Sequence, residues 1–302
     1  MTSTTTRPPR YLGDNPRFLA GLFMSPAVIY IIALVGFPFV LAIIYAFTDI
    51  STGNPDLEFV GWATFRRVLA DPVFRGALWN TFLFAVLANV LVVILATALA
   101  EILIRDFKGK WLVRFLVLLP WVAPVSLATI TWLWTLDSIF SPIDWVLRQV
   151  GLITENVYWL GRPGTAMTSV IAVQAWRIVP LAAVIVLAGL IAIPKDINDA
   201  VAVDGAGFWR KMFQVTIPLL APIIAVAVLF GVILTISDMS VVYVLTRGGP
   251  TNSTQVLSTW AFIKGIEGGA LAQGAAVALF LLPVLIGITA VVLRLARRRE
   301  VL

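Results

Sequence analysis

The sequence predicts an all-α polytopic membrane protein with six transmembrane helices and both termini in the cytoplasm. Three observations predict it. Hydrophobic residues fill 60% of the 302 positions and charged residues only 13%, against roughly 45–50% and about 25% in soluble domains. Apolar runs long enough to cross a ~30 Å hydrocarbon core recur along the whole chain. Lys and Arg gather mostly on one side of those runs, as they do at the cytoplasmic ends of membrane helices.

Taken in order, residues 1–17 are a polar tail carrying Arg7, Arg10 and Arg17. The apolar stretch that follows, Phe18 to Thr48, is far longer than the roughly 7–15 residues of a signal-peptide core, so it reads as an uncleaved helix. Residues 18–302 then form one permeation domain with spans near 20–46, 80–104, 113–136, 167–192, 217–245 and 271–294. The segment 47–79, with Pro55, Pro72 and both charge signs, is an external excursion long enough for a short surface helix. Pro26, Pro38, Pro120, Pro124, Pro180, Pro222 and Pro283 fall within the spans and read as packing kinks, since neighbouring helices can satisfy the freed backbone groups.

An even number of spans returns both termini to one side. That side holds Arg105, Lys108, Lys110, Arg114, Lys195, Arg210, Lys211, Arg294 and Arg297 to Arg299 besides the tail arginines. The other holds half as many basic residues: Arg66, Arg67, Arg75, Arg148, Arg162, Arg247 and Lys264. The tail, the 105–112 loop, the 193–216 loop and the C-terminus are therefore expected to be cytoplasmic. The net charge of +6 follows from this asymmetry and gives no reason to expect a nucleic-acid partner. Membrane lipid is the partner that the composition demands. Cys and His are both absent, which removes disulfides, thiolate nucleophiles, imidazole bases and His-ligated metals. No internal repeat is visible.

The loop from Pro194 to Met212 is the most informative segment. Asp196 or Asn198 is placed to cap a short helix, Gly205 and Gly207 interrupt it, and an aromatic and basic second helix follows. Its small residues permit close approach of another backbone, and its apolar faces call for a partner, though a plain interfacial loop helix has the same pattern.

Asp199-Ala200-Val201, then Asp204-Gly205-Ala206, then Phe213 and Pro218, resembles the Glu-Ala-Ala loop of binding-protein-dependent ABC importer permeases. Asp199 and Val201 stand where that pattern has Glu and Ala. Trp79-Asn80-Thr81, Phe107-Lys108-Gly109-Lys110 with Arg114 and Leu119-Pro120-Trp121, and Ser141-Pro142-Ile143-Asp144 are similar to segments of the sugar-permease branch, with Asp144 in place of the usual Asn. Leu245-Thr246-Arg247-Gly248-Gly249-Pro250, with Thr254 following, resembles the loop after the fifth span in the subunit type that pairs with a second, different permease.

This resemblance implies a permease subunit of the bacterial inner membrane, working in a heterodimer with two ATPase subunits and an extracytoplasmic sugar-binding protein or lipoprotein. It implies ATPase coupling through residues 196–212, carried by Asp199, Ala200, Val203, Asp204, Gly205, Ala206, Phe208 and Arg210. The chain itself has no Walker A motif, so no catalytic residue and no cofactor is expected on it. ATP and Mg belong to the ATPase partners. The implied cargo is a disaccharide or oligosaccharide of the maltose or trehalose type.

Polar groups inside spans are costly, about 2.5–3.5 kcal/mol for Arg or Asp near the centre. Those present are therefore candidates for the substrate pathway: Asn89, Gln174, Arg177, Ser237, Asp238 and Ser240, with the aromatics Trp132, Trp134, Trp176 and Tyr243. Planar polar groups and aromatic faces suit sugar hydroxyls and ring faces. Trp132 and Trp134 are two apart on a helix, so at most one lines a pathway. Arg177 and Asp238 equally suit a structural ion pair, and in a stand-alone secondary transporter they would couple an ion or proton. An intramembrane enzyme would need a nucleophile-base or metal constellation that the sequence does not offer.

Overall fold

A computed structural model describes residues 16–297. The start of the polar tail and Arg298 and Arg299 lie outside the described residues. Its elements are helices throughout, apart from isolated bridges such as Thr48 with Phe59.

The first span is α1 (Pro16–Ile31) and α2 (Phe37–Ala46), joined without a break by a π-helical turn, Ile32–Gly36. The excursion after it contains α3 (Ala63–Ala70) and leads into α4 (Pro72–Leu103). Helix α4 starts sharply because Asp71 accepts a hydrogen bond from the Val73 N–H at 2.8 Å while Pro72 supplies a preset φ at the first position. At its far end Arg114 donates to the Leu103 carbonyl at 3.1 Å and Lys110 to the Ile104 carbonyl at 3.3 Å, placing positive charge on the negative helix terminus.

The expected third span, 113–136, is not one helix. It is α5 (Lys110–Val122) and α6 (Val125–Thr135), bent by 96° at Ala123-Pro124. Pro124 has no N–H to give, and Ala123 before it takes an extended conformation (φ −63°, ψ 140°). The short α7 (Pro142–Gln149) follows, then the long α8 (Pro163–Ala192).

Beyond α8 come α9 (Lys195–Val203), α10 (Phe208–Lys211) and a π-helical turn, Met212–Thr216, that runs into α11 (Ile217–Ser237). The expected fifth span, 217–245, also divides. The backbone extends at Asp238 (φ −92°, ψ 124°), whose carboxylate accepts from the Ser240 N–H at 2.7 Å and so starts the separate α12 (Ser240–Thr246). Helices α13 (Leu257–Phe262) and α14 (Leu271–Arg297) complete the bundle. Five helices or joined helices are long and apolar enough to span a membrane, and the bent α5–α6 pair makes six.

Helices α4 and α8 form the centre. Small buried residues (Ala88, Ala96 and Ala100 of α4, Ala175, Ala182 and Ala183 of α8) let the two backbones approach closely, which is how helices associate where water supplies no drive. Gly189 extends the seam to α11: a Cβ there would lie 2.8 Å from a Leu220 methyl and 2.6 Å from one of Ile223. Successive spans alternate in direction, so the loops 193–216 and 104–109 share one end of the bundle, the knob end. The segments 47–71, 136–162 and 247–270 share the opposite, loop end.

Candidate translocation pathway and coupling loop

Helices α8, α11 and α12 bring most of the intramembrane polar residues together. Gln174 is buried and donates through Nε2 to the Thr235 hydroxyl at 3.3 Å. One turn along α8, Arg177, 9% exposed, is ion-paired to Asp238 at the α11–α12 break. Asp238 also receives the Ser240 N–H, so α12 begins on a carboxylate already matched to a guanidinium. A buried charge persists only when paired and hydrogen-bonded, and here both conditions hold.

Trp132 of α6 meets Trp176 of α8 edge to face, with ring centroids 5.4 Å apart and planes at 75°. Both line a cavity of about 450 Å³ beside the α5–α6 elbow, together with Leu119 and Pro120 of α5 and Thr131 and Thr135 of α6. Trp134 is 76% exposed and stands apart from this pair. Ser237 is exposed at the end of α11, and Ser240 is half-buried.

Asn89 is buried elsewhere. Its Nδ2 donates to the Ala85 carbonyl at 2.7 Å, and its Oδ1 lies against Gly231, where a Cβ would be 2.1 Å away. It forms the one polar side chain of an apolar groove of about 540 Å³ between α4, α11 and α14.

Tyr243 belongs to a cluster at the loop end that the sequence did not single out. Its hydroxyl donates to the Glu267 carboxylate. Arg247 grips the same carboxylate at 2.9 and 2.7 Å and lies 5.1 Å over the Tyr243 ring. The Tyr243 hydroxyl first, and then the Arg247 charge, hold the Glu267 carboxyl below the usual range for a glutamate. The only sequence signal for Glu267 was a lone acid between two apolar segments.

Asp144 was visible as a departure from the family pattern, and its surroundings explain the carboxylate. It is fully buried, with Oδ2 accepting from the Val157 N–H at 2.9 Å and Oδ1 from the Trp159 indole at 2.7 Å. Both oxygens face donors. An amide would turn an N–H toward one of them.

At the knob end α9 and α10 form a helix-turn-helix. Gly205 turns the chain at φ +64°, a left-handed conformation that glycine adopts without strain. The expected cap from Asp196 or Asn198 is not made. The residue before α9 is Pro194, whose carbonyl accepts from the Ile197 N–H at 3.2 Å, while Asp196 sits in the first turn near the positive helix end. Asp199, Ala200, Val203, Asp204, Gly205, Phe208 and Arg210 are exposed, and Ala206 is half-buried. Arg210 donates to Gln214 at 3.1 Å. Val203 is 88% exposed and Trp209 69%, with Trp209 stacked on Phe213 at 6.0 Å. Among the described residues no cluster of three or more acidic side chains could hold a metal ion.

A polytopic helical bundle with matched charges and aromatics inside it, and an exposed apolar knob at one end, is built as the membrane-embedded subunit of a transporter. The chain belongs to the family of binding-protein-dependent transport system inner membrane components, whose sequence profile matches residues 93–301. It is 30% identical over 292 residues to the sulfoquinovosyl glycerol transport system permease protein SmoG of Agrobacterium fabrum, covering 96% of this chain and 94% of that one. It is 31% identical over 246 residues to the trehalose/maltose transport system permease protein MalF of Thermococcus litoralis, covering 82% of each. The fold matches a chain of a bacterial alginate ABC transporter, solved in complex with an alginate pentasaccharide-bound periplasmic protein, with TM-score 0.80 and 20% identity over 96% of this chain and 98% of that one.

Proposed function

We propose that this chain is one of two different permease subunits of an ATP-driven sugar importer, forming half of the pathway and doing no chemistry itself. The knob end, with the termini, faces the cytoplasm, where basic residues concentrate. There residues 196–212 couple the chain to a pair of ATPase subunits that hold ATP and Mg. A sugar-binding protein or lipoprotein delivers cargo at the opposite end. Relatives that carry trehalose, maltose and a glycosyl glycerol in their names support a disaccharide or oligosaccharide cargo. Gln174, Trp176 with Trp132, and the α12 face beginning at Ser240 form the path, with the Arg177–Asp238 pair as its charged floor.

The observation that carries this reading is the knob. Val203, Phe208, Trp209 and Phe213 project apolar surface that nothing among the described residues covers, on a segment of α9–α10 whose Gly205 turn fixes its shape. ATP binding closes the ATPase pair, pulls the knob and rocks the spans. Reversing the order of residues 199–205 should abolish ATPase co-purification and uptake while membrane insertion continues. Full ATPase recovery with the reversed segment would overturn the reading.

A further inference from the structure

Two packed clusters meet at the loop end. One buries Val241, Val242 and Leu245 of α12 against Phe84 of α4 and Met167 and Val170 of α8. The other buries Leu257 of α13 with Ala46, Phe74 and Ala77 and with Ala276 and Val277 of α14. Where they meet, Arg247 and Tyr243 reach from the first cluster to Glu267, which follows α13 in the second. Phe262 of α13 supports the Tyr243 ring edge-on at 5.3 Å.

The clamp differs from the Arg177–Asp238 pair in its access to water. Arg247 is 63% exposed at its side chain and Glu267 30%. Water can replace each partner as they part, so the contact opens at little cost, whereas a buried pair does not. Arg247 also sits in the left-handed region (φ 50°) at the end of α12, a position where glycine is favoured and where Gly248 follows directly. A long side chain occupies that position against its backbone preference, and the reach of its Nη2 to both oxygens of Glu267 is what that side chain supplies.

We propose that the Arg247–Glu267–Tyr243 clamp is the outer latch of the pathway, with Glu267 the positioning residue that holds α12 against the α13–α14 cluster until the mouth opens to receive cargo. This rests on the reading above that α12 borders a pathway whose loop end faces outside.

The chain contains no cysteine, so an introduced thiol is the only one on it, and its labelling is read on this chain's own band after the subunits are separated by denaturing electrophoresis. Ser240→Cys is placed in the assembled transporter in nanodiscs, and its labelling by a polar thiol reagent is followed without nucleotide and after trapping with ATP and vanadate. Labelling should be slow without nucleotide and fast when trapped. Adding Glu267→Gln should speed the nucleotide-free labelling by up to about five-fold, the factor an exposed ion pair supports. The exchange Arg247→Glu with Glu267→Arg should return it toward the parent rate, which a folding defect would not do. Two results overturn the latch: nucleotide-free labelling unchanged by Glu267→Gln while trapping still accelerates it, or equal fast labelling in both states of the parent. Labelling in neither state instead removes α12 from the pathway and sinks the underlying reading.

Discussion

Helix α8 and the first span are both apolar and both long enough to cross a membrane, yet 56% of the most apolar stretch of α8 is buried inside the chain and none of the first span's is. The first span is the more hydropathic of the two. Hydropathy thus reports preference for lipid over water and says nothing about protein neighbours. What separates the helices is side-chain size. Helix α8 presents Ala166, Ala175, Ala182, Ala183 and Gly189 to its neighbours, while α1 presents Phe23, Met24, Ile29 and Tyr30 outward. Small residues permit backbone approach and van der Waals packing, and large flexible ones meet lipid or a second subunit equally well.

Breaking the interior of α8 should have the largest effect. Arg177→Ala leaves Asp238 without its counter-charge and should destabilise the protein by on the order of 3 kcal/mol. The double change Arg177→Ala with Asp238→Ala should recover much of that, measured as the midpoint of thermal unfolding in detergent. Overfilling the seam comes next: Ala183→Leu forces side chains into a space with no exposure and should cost about 1–3 kcal/mol. The smallest effect belongs to the first span. Ile29→Ala, at a position 64% exposed, should stay within about 0.5 kcal/mol for the chain alone. If the same change weakens the chain only when its permease partner is present, measured by co-purification yield, the unburied span is an intersubunit surface and the comparison sharpens.

Much of the fold was legible because membrane crossing imposes long apolar runs, and the division of the chain at Pro124 and Asp238 was not. Proline is tolerated inside membrane helices, as Pro180 and Pro222 are here, so Pro124 alone did not reveal a 96° bend. Asp238 was readable as a costly intramembrane charge, but its part in ending α11 depends on its bond to the Ser240 N–H, which no periodicity encodes. Tyr243 and Arg247 lie 24 and 20 residues from Glu267, and only the fold brings them to one carboxylate. The start of α9 misled because Asp196 is a good cap by type while Pro194 occupies the capping position. The separation of Trp132 from Trp134, in contrast, followed from helix geometry alone.

The α5–α6 elbow has a consequence for where water can go. Helices of 13 and 11 residues rise about 20 Å and 16 Å, so neither crosses a hydrocarbon layer by itself. Carbonyls at the end of α5 and N–H groups at the start of α6 are left without helical partners partway through the membrane, a state that lipid does not tolerate. The hollow beside them, with the hydroxyls of Thr131 and Thr135 in its wall, can hold the solvent they require. A bend written by one proline thereby sets backbone groups that need water beside a hollow with room for it.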